Sequence, residues 1–261
     1  MNIFDELEYT EKTMTCDAHG EYTARVVDLF GTEQVVGGCP ECSRIASEES
    51  ATAKREAAKR NGEMEFRRVI PRRFHGCTLD GYQATSDKQR RSLAICKKFA
   101  DRWDDRKAKG GCLVMCGSPG TGKTHLAAAI VREIMPKEIP DSGLMPSSPS
   151  VVYVTASEMT RRIKSTYSRD SHETEQSVIS EYSGKALLVI DEVGANRGTE
   201  AELLLIQEII DNRYQRVMPT ILISNLPEKE LAAYIGDRAL DRLYDNGGAV
   251  IAFDWESKRR G

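Results

Sequence analysis

From residue 66 onward the chain alternates between two hydrophobic rhythms. Short, nearly continuous apolar runs occur at 112–116, 151–155, 187–190, 220–224 and 249–253. Each is too short for a buried helix and is bounded by polar or turn residues, so each predicts a strand covered on both faces. The segments between them follow helical spacing. Residues 87–106 carry Leu93, Ile95, Cys96, Phe99 and Trp103 on one face, and 125–135 form a second apolar helix halted at Pro136. Further helices are predicted at 157–168, with Glu158 in the first turn, and at 175–182, 228–234 and 236–244. Thr199 is expected to cap a helix running through Arg213, with Glu202 completing a capping box. The stretch 136–149 contains four prolines and reads as a loop. Strand and helix in alternation predict an α/β domain with a parallel sheet and helices on both faces. Ahead of residue 66 the pattern is thin. Short strands are predicted at 22–27 and 34–36, and 43–60 reads as a helix with mostly alanine for an apolar face.

The strand at 112–116 runs into Gly117-Ser118-Pro119-Gly120-Thr121-Gly122-Lys123-Thr124, followed by a helix. Strand, glycine-rich loop and helix form the context of a phosphate-binding loop. The glycines let backbone N–H groups turn toward phosphate, and the helix N-terminus adds partial positive charge. Lys123 can reach the β- and γ-phosphates, and Thr124 can offer its hydroxyl to Mg²⁺. The run 186–190 ends in Asp191-Glu192, the Walker B form, with Asp191 expected to hold Mg²⁺ through water and Glu192 to polarise the attacking water. The paired acids point to ATPases of the AAA+ type rather than to metabolite kinases. Asn225, at the end of the strand at 220–224, is a candidate for orienting that water, or a turn-forming residue before Leu226-Pro227.

The cysteines divide into two groups. Cys16, His19, Cys39 and Cys42 make two ligand pairs separated by about a hairpin's length, as in a zinc ribbon. So small a segment lacks the core to fold unaided, and metal would supply the free energy. The other reading of Cys39 and Cys42 is a redox pair. Cys77, Cys96, Cys112 and Cys116 show no such spacing and are expected to be small buried hydrophobes.

The chain has 261 residues and a net charge of −3. That length suits one nucleotide-binding domain of about 200 residues and a small module, with boundaries expected at 1–46 (zinc module), 47–68 (basic helical linker) and 69–261 (ATPase domain). No global basic field points to nucleic acid. A local one exists at 54–73, where eight Lys and Arg face three Glu; it is either a solvated face or a contact for nucleic-acid backbone. No apolar run approaches the roughly 20 residues needed to span a bilayer, and the acidic start lacks a signal-peptide core. A cytoplasmic protein with reduced cysteines is therefore expected.

Taken together, the Walker A segment with its following 125–130 helix, the strand 188–194, Ile209-Ile210-Asp211-Asn212-Arg213-Tyr214, Ser224-Asn225 and Gly236-Asp237-Arg238-Ala239-Leu240-Asp241-Arg242-Leu243 resemble the DnaC, DnaI and IstB branch of AAA+ proteins, over about 70–260. The resemblance implies a helicase loader: an ATPase that binds a replicative hexameric helicase, places it on single-stranded DNA and self-associates through its ATP interface, with no membrane role. It maps an arginine finger for a neighbour's ATP to Arg242, with Arg238 nearby. An exposed guanidinium suits that role; salt bridges to Asp237, Asp241 or Asp245 are the alternative. It also implies a second sensor, best matched by Arg259, and a DNA contact on the helix after the second strand. There Arg161, Lys164 and Tyr167 share a face at three-residue spacing and offer two charges and a stacking ring, or else simply form the surface of an amphipathic helix. The zinc pattern is closer to DnaI and phage-borne loaders than to enteric DnaC. An IstB-like transposition ATPase binding duplex DNA is the alternative, although its usual N-terminus is helical. A metabolic P-loop enzyme would lack the acid pair and the finger segment.

Overall fold

The computed structural model describes residues 9–29, 31–140, 150–195 and 199–257. Arg259 and most of the 136–149 loop lie outside them. The chain divides into two compact units, Met1–Ala57 and Ala58–Gly261.

The first unit contains an antiparallel sheet of β1 (Thr10–Cys16), β2 (Gly20–Leu29) and β3 (Thr32–Val36), in that spatial order. Cys16 pairs with Gly20 and Leu29 with Thr32 at the two turns. The strand β1 was not expected from the sequence, because Thr10-Glu11-Lys12-Thr13-Met14-Thr15 has no apolar alternation. Its β-branched threonines and its register with β2 define it instead. Among the described residues of this unit only Ala24, Val26, Val27 and Cys39 are buried hydrophobics. A single helix, α1, spans Pro40–Val69, longer at both ends than the expected 43–60. Its later part, in the second unit, carries the buried Phe66 and also Gly62, where a Cβ would meet Pro136 at 2.8 Å.

In the second unit five parallel strands take the order β5-β6-β7-β4-β8: β4 (Leu113–Gly117), β5 (Val151–Thr155), β6 (Leu187–Val193), β7 (Thr220–Ser224) and β8 (Ala249–Phe253). Successive residues feed opposite cores. Leu113, Met115, Leu187, Val189, Ile221 and Ile223 face one cluster, which includes Phe99 of α2 (Asp87–Asp101) and Leu126 and Ile130 of α4 (Lys123–Ile134). Val114, Cys116, Leu188, Ile190 and Leu222 face the other. That second cluster is built by α5 (Ala156–Ser165), α6 (Glu175–Gly184), α7 (Glu200–Gln215), α8 (Glu228–Ile235) and α9 (Asp237–Tyr244). Strands buried on both faces and helices in two layers are the parallel α/β arrangement expected. Cys77, Cys96, Cys112 and Cys116 are all buried within it, and burial pushes the Cys96 thiol up to about 12.

Several element ends differ from expectation. The predicted 87–106 helix breaks at Arg102, and a separate helix, α3, covers Trp103–Lys109. Trp103 is wholly buried and its Nε1 donates to Glu138 at 2.7 Å, a tertiary contact that local periodicity does not reveal. Pro136 does not end the helical path, because it sits in the first turn of a 3₁₀ segment, Met135–Glu138. The helix expected at 157–168 is capped one step earlier, by a reciprocal Thr155–Glu158 box, and ends at Ser165. There Ser165 and Thr166 hydroxyls take the carbonyls of Arg162 and Ile163. At Thr199 only the first half of the expected box is present, a 3.3 Å bond from the Glu202 amide.

Candidate functional site

The carboxyl end of β4 leads directly into the phosphate loop. Gly117 has φ 119°, and a Cβ there would lie 2.5 Å from the Phe253 carbonyl oxygen. Gly122 has φ 99° and serves as the N-cap of α4 with no side-chain cap. The first amides of α4 are thus left for a ligand. The loop is braced from outside: the Ser118 amide donates to Phe253 O, and Tyr82 and Trp255 both donate to Thr121 O, at 3.2 and 3.1 Å. Burial pushes the Tyr82 phenol up to about 12, so it remains a donor. Thr121 closes the loop internally with a 2.8 Å bond to Ser118 O. Lys123 is 95 % covered, and its Nζ donates to the carbonyls of Gly117 and Ser118 at 2.7 Å each.

The acidic side comes from β6. Asp191 is buried, and its Oδ2 accepts from Thr124 Oγ1 at 2.9 Å and from Tyr153 Oη at 2.5 Å. Its Oδ1 accepts the Glu192 amide at 2.7 Å. Glu192 has φ 60°, and the pairing of β6 with β7 shifts register between Ile190 and Val193. A left-handed glutamate inside a strand is strained and held by its surroundings. The kink leaves Asp191 buried and Glu192 exposed, lining a cleft of about 330 Å³. Pro119, Gly120, Thr124 and Asn225 line the same cleft, so the structure brings Asn225 to the expected Walker residues. An adjoining space of about 490 Å³ shares Thr124, Asp191 and Glu192 and reaches Tyr153 and Arg68.

Phe74, Tyr82, Tyr153 and Trp255 belong to this neighbourhood and carry no site signal in the sequence, and Arg73 belongs to it too, although the sequence marks it only as part of the basic cluster at 54–73. Arg73 and Phe74 line both spaces. Tyr153 stands in a strand, where an aromatic is ordinary, and only the register of β5 on β6 aims it at Asp191. Burial, and next the charge of Asp191, push the Tyr153 phenol upward.

Arg242 departs from the exposed guanidinium expected. Its side chain is 14 % exposed, ion-paired with Asp211 and placed over the Tyr214 ring at 5.4 Å. The partner is none of Asp237, Asp241 or Asp245, because α9 packs on α7 and turns Arg242 inward. Its neighbours in a small cavity include Cys112 and Asn246, which precede β4 and β8, and Thr220, the first residue of β7. It therefore lies at the amino ends of the strands, opposite the phosphate loop. Arg238, one turn earlier, is exposed and forms no ion pair among the described residues. Arg213, in the motif 209–214, is 1 % exposed and donates to the carbonyls of Tyr182, Lys185 and Pro219 and to Thr220 Oγ1. It ties the ends of α6 and α7 to β7.

On α5, Arg161 and Lys164 are exposed. Tyr167 is 63 % exposed but lies beyond the helix end, and a bond to Glu175 pushes its phenol upward. The intervening Arg162 is committed to Glu173 and Glu181. No helix among the described residues is long and apolar enough to cross a membrane.

In the first unit Cys16, His19, Cys39 and Cys42 converge, with ligand atoms within 4.8 Å of one another. The Cys16 and Cys42 sulfurs are 3.6 Å apart, and His19 Nδ1 lies 3.7, 3.7 and 3.2 Å from the sulfurs of Cys16, Cys39 and Cys42. A tetrahedron with metal–sulfur bonds of 2.3 Å has edges of about 3.8 Å. Three thiols and an imidazole at such spacing fit zinc. The Ala18 amide, followed by His19, draws the Cys16 thiol down to about 6, and a bond with Cys16 lifts Cys42 to about 11.

The replicative helicase loader DnaC of Buchnera aphidicola (subsp. Acyrthosiphon pisum) is 28 % identical over 218 residues, covering 82 % of this chain and 83 % of that one. DnaC of Escherichia coli K12 is 28 % identical over 211 residues, covering 80 % of each. The crystal structure of the DnaC helicase loader superposes with a TM-score of 0.58 at 23 % identity, covering 70 % of this chain and 99 % of that one. The model of the family described as IstB-like ATP binding protein matches residues 82–259, and the chain belongs to that family, the IstB/DnaC branch of the AAA+ ATPases.

Proposed function

We propose that this chain is an ATP-dependent loader that binds a replicative DNA helicase and places it on single-stranded DNA when replication begins. The observation that carries this reading is likeness to helicase loaders along four-fifths of both chains, together with a Walker A and B pair joined by the Thr124–Asp191 bond. In the reaction, Lys123 exchanges the Gly117 and Ser118 carbonyls for β- and γ-phosphate oxygens. Thr124 and Asp191 would hold Mg²⁺, which when bound offsets the charge of the phosphates. Glu192, exposed into the cleft, takes the proton of the attacking water, and Asn225 orients that water. Arg242, which lies at the amino ends of the strands away from its own phosphate loop, or the freer Arg238, would serve the nucleotide of a neighbouring subunit. Arg161, Lys164 and Tyr167 would meet the DNA, and Arg259 would contact nucleotide. Cys16, His19, Cys39 and Cys42 would hold one Zn²⁺, which supplies cross-linking rather than catalysis.

A second reading follows from the name of the family: an IstB-like ATPase acting on duplex DNA in transposition. One experiment separates them. The purified chain is mixed with a hexameric replicative helicase, with and without ATP, and helicase deposition on single-stranded DNA is measured. Co-elution and ATP-dependent deposition are expected. No helicase contact, with preferential binding of duplex DNA, supports the second reading.

A further inference from the structure

We propose that Tyr153 is a positioning residue for the carboxylate of Asp191, and that through it Tyr153 sets the affinity of the site for the divalent cation that accompanies the nucleotide. The inference rests on the Mg²⁺–nucleotide reading above and adds a residue to it. In the parallel pairing of β5 with β6, Tyr153 stands opposite Val189 and Thr155 opposite Asp191. Alternation then puts Tyr153, Thr155, Val189 and Asp191 on one face of the sheet. Tyr153 is diagonal to Asp191, a separation that an aromatic side chain spans. Its ring packs against the buried cluster containing Val189, which leaves the hydroxyl as the free end aimed at the carboxylate.

Asp191 receives three donors. The Glu192 amide holds Oδ1, and the hydroxyls of Thr124 and Tyr153 share Oδ2. One of these is expected to change when a cation binds: the Thr124 hydroxyl, which turns toward it. The Glu192 amide holds only the other oxygen, Oδ1. Tyr153 is then the donor left on Oδ2, anchored on a neighbouring strand. When Thr124 turns away, the Tyr153 bond remains to keep Oδ2 from rotating about the Cβ–Cγ bond. A carboxylate fixed before the cation arrives binds it without ordering cost.

The test is Tyr153→Phe, which keeps the ring and its packing and deletes only the hydroxyl. Binding of a fluorescent, non-hydrolysable ATP analogue is titrated with Mg²⁺ present and with Mg²⁺ chelated, alongside Asp191→Asn and a thermal melt of each variant. In Tyr153→Phe, affinity without Mg²⁺ should stay within about twofold, while the Mg²⁺ concentration giving half-maximal enhancement should rise about tenfold, the cost of ordering one side chain on binding. Equal weakening with and without Mg²⁺ would mean a merely structural role and overturn the proposal. An unchanged Mg²⁺ requirement in Tyr153→Phe, with Asp191→Asn strongly altered, would overturn it and leave the nucleotide site standing. An unchanged requirement in both would overturn the Walker B assignment, and this inference with it.

Discussion

The two compact units hold themselves together by different means. The second has a sheet covered on both faces, with Leu113 and Met115 in one core and Val114 and Cys116 in the other. The first has four buried hydrophobics among its described residues and a knot of three thiols and an imidazole. Below about 40–60 residues a chain buries too small a fraction of its surface to offset conformational entropy. A metal cross-link is the usual remedy, and there the ligand set is the core. The lesson is that chemistry and stability coincide in the first unit and separate in the second. In the second unit, the polar groups of the candidate site gather at the carboxyl ends of the strands while the apolar interior carries the fold.

Disrupting the proposed zinc site is the sharpest way to break the comparison. Chelation, or Cys39→Ser, should cost the first unit a binding free energy on the order of 10 kcal/mol. Amide exchange should then show 10–36 unprotected while the strands at 113–117 and 187–193 keep full protection. Elemental analysis of the untreated chain should find one zinc. Loss of protection in both units together would end the idea of independent stabilisation.

Chemistry in the second unit should be removable without touching its fold. Glu192→Gln is expected to retain ATP and lose about 10²- to 10⁴-fold in turnover, since the carboxylate acts on water. Lys123→Ala should lose ATP binding itself. Both should melt near the wild-type temperature; a large drop in melting for Glu192→Gln would show that the strained backbone also supports the fold.

Arg213 tests the converse, a motif residue whose work is structural. Arg213→Ala strands several buried carbonyls and should destabilise the second unit by about 3 kcal/mol. The cysteine–histidine knot should survive intact, as read by zinc retention in the purified variant.

A smaller effect is expected where the second unit meets its own copies. Arg242→Ala should bind ATP normally and lose DNA- and helicase-stimulated hydrolysis, and mixing with Lys123→Ala protein should restore part of it. The Asp211 pairing makes Arg238→Ala the necessary control: whichever arginine abolishes stimulation is the finger. The smallest change should follow from Arg161→Ala with Lys164→Ala, which lowers single-stranded DNA affinity and reduces the salt slope by about 1.4.

The parallel strands were legible in the sequence because full burial writes itself as continuous apolar runs; 151–155, 220–224 and 249–253 match their strands end to end. β1 was not legible, since an edge strand of threonines and charges bears no such mark. The loop glycines, Lys123, Thr124, Asp191 and Glu192 were visible because the constraints on them are local: backbone freedom, charge and position at a strand end.

What the sequence by itself determined is therefore the layered α/β plan, the phosphate loop with its paired acids, and the spacing of the four cysteine and histidine side chains that converge as a candidate metal site. These rest on composition and on separations of a few residues, which a linear string records. The tertiary structure decided the rest. The register of β5 on β6 aimed Tyr153 at Asp191, and the end of β8 brought Trp255 to Thr121 across 134 residues. The packing of α9 on α7 gave Arg242 to Asp211 rather than to an acid of its own helix. Such partners are chosen by which surfaces exclude water together, and no local pattern encodes that choice.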